Sequence, residues 1–380
     1  MEVSGHTKGW LTSPDGWGLL GAKPNPECAM STLKPSSETE HKIAPQMAVV
    51  ASARAPAAAD HKGQVEAIRA QDEGLVAGQL GTIFYKPVTV CGIDLKLEPV
   101  QPSIGTIVHG IDLAKDIDNP DVVSFLRELW LERRVIMFRE QGHLTRQEMV
   151  NFAEKFGEIG AHHGERDHVP DLPTSVPGFP DMLIIASGEK RAGAASGWHS
   201  DATWSTRPPM GSVLICREAP PVGGDTSFCC AYSMWNGLSD ATRAKIEHLQ
   251  AVHVGSPHHA MDGKRPRAVH PVPRTHPETG RTTLFIPRSF VKQFVEGPGP
   301  EGHGLDDDEA KSLLAELYDQ AGQPEYTCRF RWEAGSLAMW DNRAVQHRAT
   351  ADFWPHRRSM ERLTILDYDQ KRRAPYYDPE

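Results

Sequence analysis

No stretch of the 380-residue chain supplies the roughly 18 to 20 consecutive apolar residues that a membrane-spanning helix requires, so no such helix is expected. Positive charge is also short. Lys and Arg number 41 against 50 Asp and Glu, a net charge of −9 with histidine neutral, which argues against a general nucleic-acid or anionic-membrane surface. Cysteine is sparse: there are six, none in a C-x-x-C pair, and adjacent Cys229 and Cys230 would point to opposite faces of a strand. That usage fits a reduced cytoplasmic protein better than a disulfide framework. Residues 1–85 lack sustained apolar periodicity and are rich in Ala, Pro, Ser, Gly and Lys, as in AVVASARAPAAAD at 48–60. Such composition cannot bury enough surface to offset its ordering entropy, so it reads as a disordered extension ahead of one folded domain at 86–380. The extension lacks the continuous apolar segment of a secretory signal, and Glu2, Asp15, Glu27, Glu38 and Glu40 weaken a transit-peptide reading. Organellar targeting is left open by this reading, as are Met30 and Met47 as alternative starts.

The folded body begins with two strand-like runs, VTVCGIDLKLEPV and SIGTIVHGIDL. A helix opens at Asn119-Pro120 and carries Val122, Phe125, Leu126, Leu129 and Trp130 on one stripe. After the apolar run VIMF, Thr145 and Glu148 form a capping-box pattern for a second helix with Met149, Phe152 and Phe156 inward. From 181 the pattern changes to short strands, DMLIIAS, SVLICREA, DTSFCCA, AVHPV, TTLFIP, YTCRFRWE, SLAMWD and RLTIL, punctuated by Pro, Gly and Asn or Asp. One late amphipathic helix at about 307–320 interrupts them, with Leu313, Leu314 and Leu317 apolar. Many short strands with long connections predict a mostly β fold with flanking helices, a two-sheet jelly roll.

Within that body, Trp-His-Ser-Asp supplies His199 and Asp201, and a second histidine, His347, is followed eleven positions later by Arg358. Two imidazoles and one carboxylate hold iron(II) on one octahedral face, leaving the other positions open for a co-substrate and oxygen. An Arg shortly after the last ligand can clamp a carboxylate by two parallel hydrogen bonds. Together these read as a 2-oxoglutarate-dependent oxygenase. On a strand, His199 and Asp201 at i and i+2 would point at one ion while Ser200 points away. His-x-Asp alone is weak, because a chain with 18 His should contain about one such triplet by chance. A rival cluster, HHGERDH at 162–168, offers His162, His163, Glu165 and His168 as zinc ligands or as a solvated loop, and HHAMD at 258–262 is loop-like. The alternatives are therefore a zinc-dependent hydrolase and a catalytically silent jelly-roll binding protein. Arg358, Met360 and Arg362 share a strand face, and two inward arginines are costly unless each meets an anion.

Three blocks carry a family resemblance: GWHSDATWSTRPPMGSVLICREAPPVGGDTSF from Gly197, HPVPRTHPETGRTTLFIP from His270, and GSLAMWDNRAVQHRATADFWPHRRSMERLTIL from Gly335. They resemble the taurine dioxygenase/TfdA family of Fe(II)- and 2-oxoglutarate-dependent dioxygenases over roughly residues 95–370. The resemblance implies a cupin-like double-stranded β-helix, with Fe(II) on His199, Asp201 and His347. It also implies 2-oxoglutarate anchored by Arg358 with help from the Thr226 hydroxyl of GGDT, O2 as second co-substrate, and succinate and CO2 as products. His162, Phe285 and Arg362 match the family's substrate-contacting positions. Two departures exclude carrying taurine over as the substrate: Ala195 stands where the family's taurine enzyme has Asn, and Glu165 where it has Tyr. The expected partner is another small organic anion, a sulfonate, an alkyl sulfate or a carboxylate such as an aryloxyacetate. Cleavage of a carbon–heteroatom bond would follow if the hydroxylated carbon bears one. Homo-oligomerisation is left open.

Overall fold

The computed structural model describes residues 87–160, 175–188, 196–260, 263–296 and 304–379. His162, the rest of HHGERDH and residues 1–85 lie outside the described residues. The largest sheet runs in the order Pro87–Val90, Ile93–Pro99, Thr106–His109, Val135–Phe138, Leu337–Asp341, Gly211–Glu218, Arg358–Leu366, Phe179–Ser187 and Ser175–Val176, with Glu158–Gly160 also paired to Arg358–Leu366. Its neighbours are antiparallel except for Thr106–His109 beside Val135–Phe138. Opposite it lies a three-stranded sheet, Thr327–Phe330, Thr226–Cys230 and Val345–Ala349.

Strand parity explains how both faces of the large sheet are buried. Val135, Met137, Leu214, Cys216, Ala338, Trp340 and Met360 point toward the small sheet and pack with Phe228, Cys230, Cys328, Phe330 and Val345. Their alternates, Ile136, Phe138, Val213, Ile215, Leu337, Met339, Leu363 and Ile365, point the other way and pack with the helices Pro120–Arg133 and Arg146–Glu154. Each such apolar side chain contributes about 1.5 to 3 kcal/mol on burial. The first layer is the interior of the expected jelly roll. The second is the cover supplied by the flanking helices.

Local chemistry sets the helix ends as expected. Asn119 accepts from the Asp121 N–H ahead of Pro120, and the Thr145–Glu148 box is formed, with the Thr145 hydroxyl accepting from Glu148 N–H and the Glu148 carboxylate from Thr145 N–H. The late helix spans Asp307–Asp319, capped by Asp306, with Leu313, Leu314 and Leu317 inward. Two helices, Ala231–Asn236 and Asp240–Ile246, and the strands Gln250–Val254 and Val291–Phe294 were not foreseen. They build a further apolar layer with the late helix, around Met234, Ile246, Ala251, Val291 and Leu317. Cys216, Cys229, Cys230 and Cys328 are buried free thiols, whereas Cys91 takes part in a disulfide, which corrects the all-reduced reading. No helix among the described residues is long and apolar enough to cross a membrane.

Candidate functional site

His199 and Asp201 reach the interior differently from the way the i, i+2 pattern suggests. His199 forms a single antiparallel bridge with His347, its N–H donating to the His347 carbonyl at 3.1 Å and its carbonyl accepting from the His347 N–H at 2.7 Å. The chain then leaves the sheet in a turn starting at Asp201, with Ala202 at φ +47°. The spacing still works, because Ser200 is drawn away: its hydroxyl donates to the Val345 carbonyl at 2.7 Å. His347 arrives on Val345–Ala349, paired with the strand that carries Thr226.

The ligand-type atoms of His199, Asp201 and His347 all lie within 4.8 Å of one another, the arrangement a single ion needs, and no other such group occurs among the described residues. Asp201 Oδ1 stands 3.8 Å from His199 Nε2 and 3.9 Å from His347 Nε2. His199 Nδ1 is 2.9 Å from the Gly197 carbonyl, which fixes the proton on Nδ1 and leaves Nε2 as the lone-pair donor. Burial lowers both imidazole pKa values, that of His347 to about 3, so both rings are neutral and competent to ligate. For Asp201, burial alone would raise the pKa, but the Arg362 guanidinium and the Ser212 hydroxyl counter it and hold the carboxyl below the usual range. Trp340 packs its ring 4.8 Å from that of His347, and its Nε1 donates to Asn342. It is wall and packing.

Arg358, Met360 and Arg362 do share the inward face of Arg358–Leu366. Arg358 is 5% exposed, yet it makes no hydrogen bond or ion pair with any described residue, and its Nε is buried without a partner. The GGDT turn lies against its stem: Gly224, at φ +72°, is close enough that a Cβ there would stand 3.1 Å from Arg358 Cδ. Thr226 follows two residues later, buried, accepting a hydrogen bond from Trp332 Nε1 at 3.0 Å. A desolvated guanidinium without an ion pair among the described residues is a costly arrangement, and it fits a carboxylate supplied by a bound molecule.

Arg362 already has an anion. Its Nη1 donates to Asp201 Oδ1 at 2.9 Å. Phe285 is buried among His253, His270 and Arg274, at 5.0, 5.6 and 4.9 Å, and its ring contacts among the described residues do not include the three ligand side chains. The aromatic ring that does meet His199 is Phe290, edge-on at 5.8 Å, with Trp204 packed 4.6 Å behind it and His259 stacked at 4.1 Å on Trp204.

Sequence reasoning missed the groups that hold the site. Ser212 donates to Asp201 Oδ2 at 2.7 Å, and Asn342 Oδ1 accepts from the Asp201 N–H at 3.2 Å. Asn342 sits in the turn joining Leu337–Asp341 to the His347 strand, and its neighbours pin that turn. Arg343 donates to Asp341 at 2.9 and 2.8 Å and to Glu278 at 2.6 Å, while His276 Nε2 is 3.0 Å from Asp341. One signal was available: Ser212 is a polar residue at an inward position of a strand whose next two inward residues, Leu214 and Cys216, are apolar.

Residues 96–364 match the family described as taurine catabolism dioxygenase TauD, TfdA. A sulfate ester dioxygenase of Pseudomonas putida, named as alpha-ketoglutarate-dependent, is 32% identical over 72% of this chain and 90% of its own length. An (S)-phenoxypropionate/alpha-ketoglutarate-dioxygenase of Sphingobium herbicidovorans is 31% identical, over 67% and 88%. Among solved structures, a taurine dioxygenase from Burkholderia xenovorans superposes with a TM-score of 0.61 at 33% identity, covering 75% of this chain and 97% of that one.

Proposed function

Because the chain belongs to the TauD/TfdA family of dioxygenases, we propose that the buried centre of the roll is the seat of an Fe(II)- and 2-oxoglutarate-dependent oxidation of a small organic anion. His199 Nε2, Asp201 Oδ1 and His347 Nε2 would hold the iron, and Arg358 the far carboxylate of 2-oxoglutarate, with the Thr226 hydroxyl beside it. The observation that carries this reading is the pairing of three convergent, neutral-or-anionic donors with a buried Arg358 that has no ion pair among the described residues. Both halves fit their groups: the donor set is the one iron(II) takes with positions left open, and the orphaned guanidinium matches a carboxylate. When bound, iron(II) and 2-oxoglutarate supply oxygen activation and the oxidising equivalents, with succinate and CO2 as co-products.

The chain's own residues do the rest. The Gly197 carbonyl fixes the His199 tautomer, Ser212 and Asn342 orient Asp201, and the apolar layer around Trp340 and Phe228 excludes water. Arg362 sits beside Asp201 and would meet the anionic end of the primary substrate, with His162 and Phe285 as further contacts. The relatives are named for acting on sulfate esters and phenoxypropionate. We therefore assign the substrate to the class of alkyl sulfates, sulfonates and aryloxy carboxylates, without choosing among them. Dioxygenase relatives also weigh against the zinc-hydrolase and silent-scaffold alternatives.

The test is an anaerobic titration with Fe(II) and then 2-oxoglutarate, followed by visible absorption. A weak charge-transfer band that needs both additions supports the reading, and its absence sinks it. Screening anions of the three classes for coupled succinate release then identifies the substrate.

A further inference from the structure

Ser212 lies on Gly211–Glu218 at the same inward parity as Leu214 and Cys216, and it is fully buried. A hydroxyl at such a position is costly unless it is hydrogen-bonded. Its single proton goes to Asp201 Oδ2 at 2.7 Å, and its lone pair faces Asn342 Nδ2 at a long 3.5 Å. Asn342 in turn accepts from the Asp201 N–H and from Trp340 Nε1, at 3.2 and 3.1 Å, so it is locked from two sides. Asp201 Oδ2 is therefore held by Ser212 and points away from the imidazoles, while Oδ1, which also accepts from Arg362 Nη1 at 2.9 Å, is the oxygen that faces both imidazole Nε2 atoms.

We propose that Ser212, braced by Asn342, is the positioning residue that makes Asp201 a one-oxygen ligand. The inference rests on the metal-site reading above and deepens it. Its importance is a matter of counting positions. With His199, Asp201 and His347 as one-atom donors, a six-coordinate ion would keep three positions, enough for a chelating 2-oxoglutarate and O2. A carboxylate free to swing both oxygens onto the ion would take a fourth position and leave too few. Holding Oδ2 by the Ser212 hydroxyl keeps that position open.

The experiment is a Co(II) titration of the metal-free full-length protein under argon, followed by visible d–d absorption and calorimetry and then by addition of 2-oxoglutarate. Ser212→Ala is expected to bind Co(II) about 10- to 100-fold more weakly, with an altered d–d band and poorer 2-oxoglutarate uptake. Ser212→Thr, which keeps the hydroxyl, is expected to restore affinity and band. Ser212→Cys, of similar size but a weak donor, carries the same expectation as Ser212→Ala and stands in for it if the alanine variant does not fold. Native affinity and a native band in Ser212→Ala or Ser212→Cys overturn the proposal, as does a variant whose metal-free melting temperature falls while its Co(II) titration is unchanged. A native protein that shows no Co(II) band at all overturns instead the metal-site reading, and this inference with it.

Discussion

Arg362 Nη1 donates at 2.9 Å to Asp201 Oδ1, the same oxygen that faces Nε2 of His199 and His347. A guanidinium thus shares the carboxylate oxygen that the two imidazoles surround, and Arg362, Asp201 and His347 are buried while His199 keeps a partly exposed edge. In such surroundings the pair is held by low dielectric, and removing one member exposes the full desolvation cost of the other.

The first expectation follows from that asymmetry. His199→Ala, Asp201→Ala and His347→Ala should each abolish Fe(II)-dependent succinate formation. Only Asp201→Ala also removes the carboxylate facing Arg362, which in a buried pair costs about 3 to 5 kcal/mol. Urea unfolding of the metal-free proteins should therefore rank Asp201→Ala well below the two histidine variants. Equal midpoints for all three would mean that the Arg362–Asp201 pair contributes little to the fold.

Arg358 presents the opposite case. It has no ion pair among the described residues, so truncating it breaks no ion pair among them. Arg358→Ala should leave Co(II) affinity near native but raise the 2-oxoglutarate requirement by about 30-fold or more, the equivalent of about 2 kcal/mol for a desolvated charge pair. Arg358→Lys should recover only part of this, because an ammonium cannot reproduce the planar fork. An unchanged Michaelis constant for 2-oxoglutarate in Arg358→Ala would remove Arg358 from that role.

Stability should depend on pH through buried neutral histidines away from the ligand set. Burial, with Arg343 adding to it, lowers His276 to about 4, and burial with Arg274 does the same for His270. The His276 ring is the Nε2–H tautomer, since its Nδ1 accepts from the N–H groups of Glu278 and Thr279, both at 3.2 Å, while Nε2 faces Asp341. Folded values near 4 lie below the unfolded value of about 6.5, so the unfolded chain takes up the protons first. Stability is then whole above about pH 6.5 and falls as pH drops toward about 4, by up to about 3 kcal/mol per ring. Urea midpoints of the metal-free protein at pH 7.5 and 5 should differ, and His276→Gln should shrink the difference. A midpoint that does not move between those two pH values contradicts this account.

What was legible in the sequence follows from the range of the interactions involved. Helix ends at Asn119 and Thr145 depend on residues two or three apart, and both were readable. The shared face of Arg358, Met360 and Arg362 needs only the two-residue period of a strand. The contacts between distant segments were not readable from pattern: Ser212 to Asp201, Asn342 to the Asp201 N–H, and the Arg362–Asp201 pair. The strand assignment for His199 and Asp201 failed for a local reason. A single bridge to His347 followed by a turn brings both side chains inward as an alternating strand would, and the sequence spacing cannot separate the two.

Residues 1–85 should be dispensable for chemistry, because every described group of the site lies after them and the family match starts at residue 96. A chain beginning near residue 86 should retain substrate-dependent 2-oxoglutarate consumption within about twofold, the spread expected for changes away from a site. A folded but inactive truncation would show that the extension completes the pocket or an interface.

The last expectation concerns specificity, and the Asp201 contact sharpens it. If Arg362 serves the primary substrate, Arg362→Ala should raise that substrate's Michaelis constant by about 30-fold or more, since a buried charge pair truncated at one end costs about 2 kcal/mol at least. The 2-oxoglutarate constant should move little, because Arg358 is the separate clamp. If Arg362 serves only to neutralise Asp201, the change should appear instead in Co(II) affinity and in the stability of the metal-free protein, with the substrate constant near native. Arg362→Lys separates the two further: it keeps a charge beside Asp201 Oδ1 but loses the fork that a sulfate, sulfonate or carboxylate would grip. Near-native metal binding with weakened substrate in the lysine variant is therefore the result expected. A lysine variant with native substrate affinity, or a true substrate that proves neutral or cationic, would leave Arg362 as a partner of Asp201 alone.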